Sequence, residues 1–440
     1  MASTAADARE PLAARRRAPL FYGWWIVLAG FVVMTLNGAL LFQAFGAYAV
    51  LLREEFGWSR TALSLAFSLQ RVESGLLGPL EGWCVDRFGP RRMMLIGISI
   101  FGGGFFVLSQ VHNLAMFYAA FLIMALGAAL GSFLPASVAI VNWFARRRSL
   151  ALAVMSLGIA AGGLVQPIVV LGLEQLGWRT MSALSGAIML AVGLPLAMLV
   201  RHHPEDHGWR PDGDPADSAA AIDPAAAASD AAPTRSARTA EVNFTPRQAL
   251  RTRAFWMIGI GHGLSLLITG AILVHFVAYV DEDLGYSKLT AATMITLMTS
   301  LQVVGQLTGG YLGDRFNKQF LIIVAMLLSA AGMLVLAGAQ SLWWVGLFAG
   351  LNGFGFGMRI PLTTSIRADY FGGRHYGTIS GLQSMVITGG IIAGPLVAGA
   401  AYDATGSYVT AFASLGIAAG IGSLFFLFAQ RPAPPADAEA

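Results

Sequence analysis

The chain has 440 residues, 56% of them hydrophobic and only 12% charged, with a mean hydropathy of +0.65 and a formal charge of +4. That balance excludes an ordinary soluble fold, which needs more polar surface to cover a core of this size. The single cysteine, Cys84, excludes an internal disulfide and a thiolate metal cluster, and the basic residues are spread over short connections instead of forming a nucleic-acid-binding patch.

Apolar stretches of about 20 residues recur, each long enough to cross a bilayer as a helix. Breakers and charges place twelve spans near 21–51, 60–85, 92–110, 114–142, 149–173, 180–200, 254–280, 288–313, 319–338, 342–368, 375–401 and 409–429. The stretch that starts at Phe21 is long and is followed by many more, so it reads as a first span and not a cleaved signal. An even number of spans puts both termini on one side. The termini and connections 2–3, 4–5, 6–7, 8–9 and 10–11 hold 22 of the 28 Lys and Arg residues. The opposite connections hold Arg53, Arg60, Arg179 and Lys288, while Arg71 and Arg359 fall inside spans. Basic connections stay in the cytoplasm, so both termini are expected there, in a plasma (bacterial inner) membrane.

Residues 1–20 and 431–440 read as cytoplasmic tails, and 21–201 and 253–430 as two six-span bundles. Between them, 202–252 is Ala/Pro/Asp-rich without apolar periodicity and is expected to be a disordered linker. At its end Thr245 can cap, and Pro246 open, a short basic amphipathic helix on the membrane surface.

The two bundles repeat one another. "FGWSRTALSLAFSL" (56–69) matches "LGYSKLTAATMITL" (284–297) at an offset of 228, which also carries Gly82, Asp86 and Arg87 onto Gly310, Asp314 and Arg315. Pro135 in the fourth span aligns with Pro361 in the tenth at an offset of 226. Two bundles related by a pseudo-twofold axis along the membrane normal are one repeat arrangement of secondary transporters, which hold substrate near the midplane between the repeats. Pairs such as Gly78/Gly82, Gly127/Gly131, Gly158/Gly162, Gly305/Gly309 and Gly353/Gly357 read as close helix contacts with no chemistry of their own.

The layout, the G-x-x-x-D-R-x-G-x-R motif from Gly82 to Arg91 and its weaker copy from Gly310 resemble the major facilitator superfamily, over all but the termini and linker. "FYGWWIVLAGF" and "ALRTRAFWMIG" are similar to the monocarboxylate transporter and oxalate:formate exchanger branch. The resemblance implies an all-α fold of twelve transmembrane helices in two pseudo-symmetric bundles. It implies that Asp86 meets the start of the eleventh span and Asp314 the start of the fifth, where free amides favour an anion. Arg87, Arg91 and Arg315 accompany them, with Asp369 as the expected partner of Arg315. Together these groups would hold an outward-open state and part when the cytoplasmic side opens. Where the branch carries a substrate arginine in the eighth span, this span has Gln302 and Gln306 and no charge.

Arg71 lies about 18 and 22 Å from the ends of its span at about 1.5 Å per residue, where a charge costs at least about 2.5 kcal/mol. Glu73 is about 200° around the helix from it, so the two do not cancel as a local pair. The first, fourth, seventh and tenth spans of the superfamily line the central cavity, which makes Arg359 the leading substrate contact. A guanidinium fork facing a water-filled cavity suits a carboxylate or another oxyanion. Arg71, Asn37, His262, Gln302 and Gln383 are further wall candidates, and Glu73 is the candidate proton carrier.

The expected function is proton-coupled, rocker-switch transport of a small, monocarboxylate-like organic anion by a monomeric unit in the lipid bilayer, without cofactor or nucleic acid. Two alternatives are a proton-driven efflux antiporter and a non-transporting sensor of the same fold. The antiporter pattern G-x-x-x-G-P-x-x-G-G is broken in the fifth span ("GIAAGGLVQP") and better approached in the eleventh ("GIIAGPLVAG", 390–399), and no sensor output module is evident. No nucleophile–base set, metal cluster or phosphate-cradling loop points to an enzyme.

Overall fold

A computed structural model describes residues 21–213 and 243–435; the tails 1–20 and 436–440 and the central 214–242 lie outside the described residues. Among the described residues the chain is helical and contains no strand. The first half comprises α1 (Gly23–Asn37), continued by a π-helical turn Gly38–Gln43 into α2 (Phe45–Phe56), then α3 (Arg60–Phe88), α4 (Pro90–Ser109), α5 (Leu114–Gly131), α6 (Phe133–Trp143) and α7 (Arg148–Leu199). In the second half follow α8 (Pro246–Leu250), α9 (Arg253–Ala278) with a π turn Tyr279–Asp283, α10 (Lys288–Gly313), α11 (Lys318–Ala337), α12 (Leu342–Phe371), α13 (Tyr376–Thr405) and α14 (Tyr408–Phe428).

Among the described residues, eight helical units are long and apolar enough to cross a membrane. One of them, the 52-residue α7, is two crossings: Gly177 takes φ 76°, ψ 157°, a conformation open to glycine and closed to most side chains, and turns the chain back. α3, α10 and α12 are 29, 26 and 30 residues long and diluted by polar residues, and they complete twelve crossings in two six-helix bundles.

The repeat is visible at the helix starts. Ser59 accepts from the Ala62 amide at 3.1 Å and its repeat mate Ser287 from the Thr290 amide at 3.2 Å, so matching N-caps open α3 and α10. Inside each bundle small residues bring backbones into contact. A Cβ on Gly127 would lie 2.3 Å from the Phe101 amide nitrogen, and one on Gly357 would lie 2.0 Å from the Gln302 carbonyl oxygen. Helices in hydrocarbon gain nothing hydrophobic by associating, so such close packing supplies the cohesion.

Residues 202–213, expected within a structureless linker, instead fold against the first half. Beside the Trp143 bond to the Arg201 carbonyl (3.0 Å), Asn142 donates to the His202 carbonyl at 3.3 Å, and Asp212 accepts from the amides of Ala145 (3.2 Å) and Arg146 (2.8 Å). The Asp and Trp side chains here satisfy backbone groups that composition alone does not reveal. At the other end Thr245 and Gln248 form a reciprocal capping box on α8.

Adding one methyl tests the packing. Overpacking costs about 1–3 kcal/mol, so Gly357→Ala lowers the thermal unfolding temperature of the purified protein in detergent. Gly103→Ala, with nothing within 4 Å of its Cβ position, leaves that temperature unchanged.

Candidate functional site

The two halves meet at the end of the bundle where α3 and α12 finish and α7 and α13 begin, here called the basic face. Helix starts carry amides with no partner in their own helix and a partial positive charge. Asp86, near the end of α3, accepts from the amides of Gly377 (2.9 Å) and Thr378 (2.7 Å) and from the Thr378 hydroxyl (2.6 Å) at the start of α13. Asp314, just past α10, accepts from the amides of Ser149 (2.8 Å) and Leu150 (3.1 Å) at the start of α7. The offset of 228 that maps Asp86 onto Asp314 also maps Ser149 onto Gly377 and Leu150 onto Thr378. The same clasp is therefore made twice.

Behind the Asp86 clasp the halves lie backbone to backbone. A Cβ on Gly82 would fall 2.1 Å from the Gly377 carbonyl oxygen, and one on Gly381 would fall 2.0 Å from that of Gly78. On the α7–α10 side Gln306 donates to the Ser156 hydroxyl at 2.6 Å.

A third tie differs from expectation. Asp369 accepts from Arg148 Nη1 of the opposite half at 2.7 Å and also binds Lys318. Arg315 takes no part; it is exposed and stacks over the Tyr311 ring at 4.1 Å. The chain leaves α10 with Arg315 turned outward, whereas Arg148 opens α7 pointing under the end of α12. Arg87 and Arg91 are also exposed, without an ion pair among the described residues. Beside the clasp a cavity of about 270 Å³ is lined by Asn142, Arg148, His202, Asn243 and Arg374 among others. Burial, then the neighbouring His203, pushes His202 down to about 4, so near pH 7 its ring is neutral and adds no charge to this seal.

The interior of the second half holds two guanidiniums. Arg359 is 2% exposed, and its Nε and Nη1 are buried without a hydrogen-bond partner. Its nearest recorded ring, Phe356, lies 5.3 Å from the guanidinium carbon. Instead of facing a water-filled cavity, as expected, Arg359 is sealed. Arg367 is 8% exposed with Nε unpartnered, and its Nη2 donates to His262 Nδ1 at 3.2 Å. The sequence reading counted Arg367 with the basic connection because it stands at the very end of the expected tenth span (342–368), but α12 continues to Phe371. A guanidinium has donors only, so Nδ1 of His262 must be the acceptor and the ring proton sits on Nε2. The charges of Arg359 and Arg367 both act on this ring. Among the described residues no carboxylate pairs with either arginine.

The other expected wall residues are dispersed. Asn37 donates to the Ser132 hydroxyl at 3.0 Å, at the break between α5 and α6, and its Oδ1 has no partner. Gln383 is fully buried and ties α13 to α9 through the Phe255 carbonyl at 3.0 Å. Gln302 is half-buried with its backbone under Gly357. Glu73 is half-buried; Ser74 donates to one oxygen at 3.4 Å, and the other is buried without a partner. Arg71 lies on α3, and its side chain falls outside the described residues. A cleft of about 520 Å³ separates the halves at mid-depth and beyond, between Phe31 of α1, Leu157–Leu164 of α7 and Ile295–Val303 of α10.

The sequence profile of the Major Facilitator Superfamily matches residues 26–280 and again 258–440. The chain therefore belongs to that superfamily of membrane transporters. It is 25% identical over 430 residues to monocarboxylate transporter 13 of Bos taurus, covering 94% of this chain and 93% of that one. A probable sulfoacetate transporter of Cupriavidus necator, SauU, is 25% identical over 412 residues, covering 86% and 87%. Among solved structures, the transporter FucP in the outward conformation superposes with a TM-score of 0.68 at 17% identity, over 94% of this chain and 99% of that one. The relatives are transporters and not enzymes, and the likeness to the monocarboxylate branch spans both halves.

The clasp can be opened by one substitution. A hydrogen bond to a charged group contributes about 1.5–3 kcal/mol, so Asp314→Asn shifts the balance between closed and open basic faces about tenfold or more. A cysteine at Ser365, buried between the halves, reads this out: in a Cys84→Ser background its labelling by a membrane-impermeant maleimide from the basic face rises with Asp314→Asn and not with Arg315→Gln.

Proposed function

We propose that this protein is a secondary active transporter that moves a small organic anion by rocker-switch alternating access, with H⁺ as the coupling ion and a single chain as the working unit. The observation that carries the reading is Arg359, a guanidinium at mid-helix in a membrane-embedded bundle with two buried donors and, among the described residues, no anionic partner. An uncompensated charge of this kind is costly in hydrocarbon and marks a site completed by something negative. The names of the relatives, a monocarboxylate and a sulfoacetate transporter, point to the same chemistry.

The clasps at Asp86 and Asp314 and the Arg148–Asp369 pair close the basic face, while the 520 Å³ cleft lies between the halves at mid-depth and beyond. Lys and Arg enrichment supports a cytoplasmic basic face with both termini in the cytoplasm, which makes the conformation outward-facing. Asp86, Asp314 and Asp369 act as the gate in this reading. Rocking parts these contacts and presents Arg359 to the opposite side. Glu73, with one oxygen buried and unpartnered, is the group that loads and releases the proton as its surroundings alternate between wet and dry.

Reconstituted into proteoliposomes, the protein accumulates labelled organic anions under an imposed pH gradient. Arg359→Met reduces that uptake about 100-fold or more, because truncating one member of a buried charged contact costs about 3–5 kcal/mol. Undiminished uptake would remove Arg359 from the site. Glu73→Gln abolishes gradient-driven accumulation and leaves counterflow exchange intact; persistent accumulation makes Glu73 a structural group.

A further inference from the structure

Arg359 and Arg367 stand eight residues apart on α12, a rise of about 12 Å and about 80° around the axis. Both are more than nine-tenths buried and both keep N–H groups without a partner. Their neighbours leave no counter-charge. Asp369, two residues beyond Arg367, is already taken by Arg148 and Lys318. The Tyr376 hydroxyl of α13 donates to the Thr364 carbonyl at 3.2 Å, and the Gln383 amide is tied to Phe255. On α9 the group that meets Arg367 is His262, whose Nδ1 is consumed by that contact and whose Nε2 carries the ring proton.

We propose that the substrate is a compact dianion, with one acidic group on Arg359 and the second on Arg367 with His262, deeper toward the basic face. This rests on reading the interior as an anion site. A monoanion would neutralise one guanidinium and leave the other uncompensated in a low-dielectric interior, whereas two acidic groups on one short backbone neutralise both. Arg367 also holds His262 in the tautomer that donates, so the deeper subsite offers a charged fork and a neutral N–H, suited to a second carboxylate or a sulfonate.

The test compares succinate with butyrate, which share a four-carbon chain and differ in one acidic group. In proteoliposomes containing the full chain, succinate competes for labelled succinate counterflow at least about tenfold more effectively than butyrate, as expected for one additional charge-assisted fork. Arg367→Met erases this ratio by weakening succinate far more than butyrate, and an unchanged unfolding temperature and elution profile in detergent report an intact fold. Arg367→Lys, which keeps the charge and loses the fork, retains an intermediate preference for succinate. Equal competition by butyrate in the wild type overturns the dianion assignment and leaves organic-anion transport standing. So does equal loss of both probes in Arg367→Met, which would make Arg367 a structural tie to α9. Failure of the wild type to exchange either probe, or any other carboxylate or sulfonate, overturns the transport reading and the dianion with it.

Discussion

An α-helix satisfies its own backbone everywhere except at its ends, and a helix that starts beside another bundle must find partners for its first amides. Here those partners are carboxylates from the opposite half: Asp86 for α13 and Asp314 for α7. The contact needs no lysine or arginine, because the aligned peptide dipoles provide the positive end. Its two copies sit in identical register, so the halves close symmetrically, with Arg148–Asp369 as an unsymmetrical addition on one side. Everything deeper in the protein, including the burial of Arg359, exists in the state that these few hydrogen bonds define.

Charge is distributed unequally between the halves. The first half carries Glu73 and Glu81 on α3, each with a buried unpartnered oxygen, and the second carries Arg359 and Arg367 on α12. The two sets are not joined by an ion pair among the described residues. Direct pairing would cancel the charges and leave nothing for a ligand or a proton to do. In the transport function proposed above, separation would keep the carboxyl side open to protonation and the guanidinium side open to an anion.

Much of this was legible in the sequence, and for identifiable reasons. The resemblance to the superfamily implied that Asp86 meets the eleventh span and Asp314 the fifth, and it transferred well because these contacts depend on helix ends and not on side-chain paths. The partner of Asp369 was not legible. Arg315 is near in the chain, but whether a flexible side chain turns inward depends on how the connection leaves its helix, and Arg148 hid among three consecutive arginines. Arg367 was missed because it stands at the last residues of the expected span, where an arginine reads as part of the basic connection; α12 continues to Phe371 and buries it. Residues 202–213 misled for the opposite reason. Their composition suits solvent, while Trp209 and Asp212 supply enough contacts to bind them to the first half.

The glycine-lined contact between α3 and α13 has a kinetic consequence. Where Gly82 faces Gly377 and Gly381 faces Gly78, main chains touch, and the side chains seated in the seam, Ser384 over Gly78 and Thr388 over Gly75, are small. Two such surfaces can separate with few and short side chains to withdraw. The barrier to parting the halves then falls mainly on hydrogen bonds at the rim and on wetting of the gap. A seam of this kind can be tight when shut and still offer little resistance to opening.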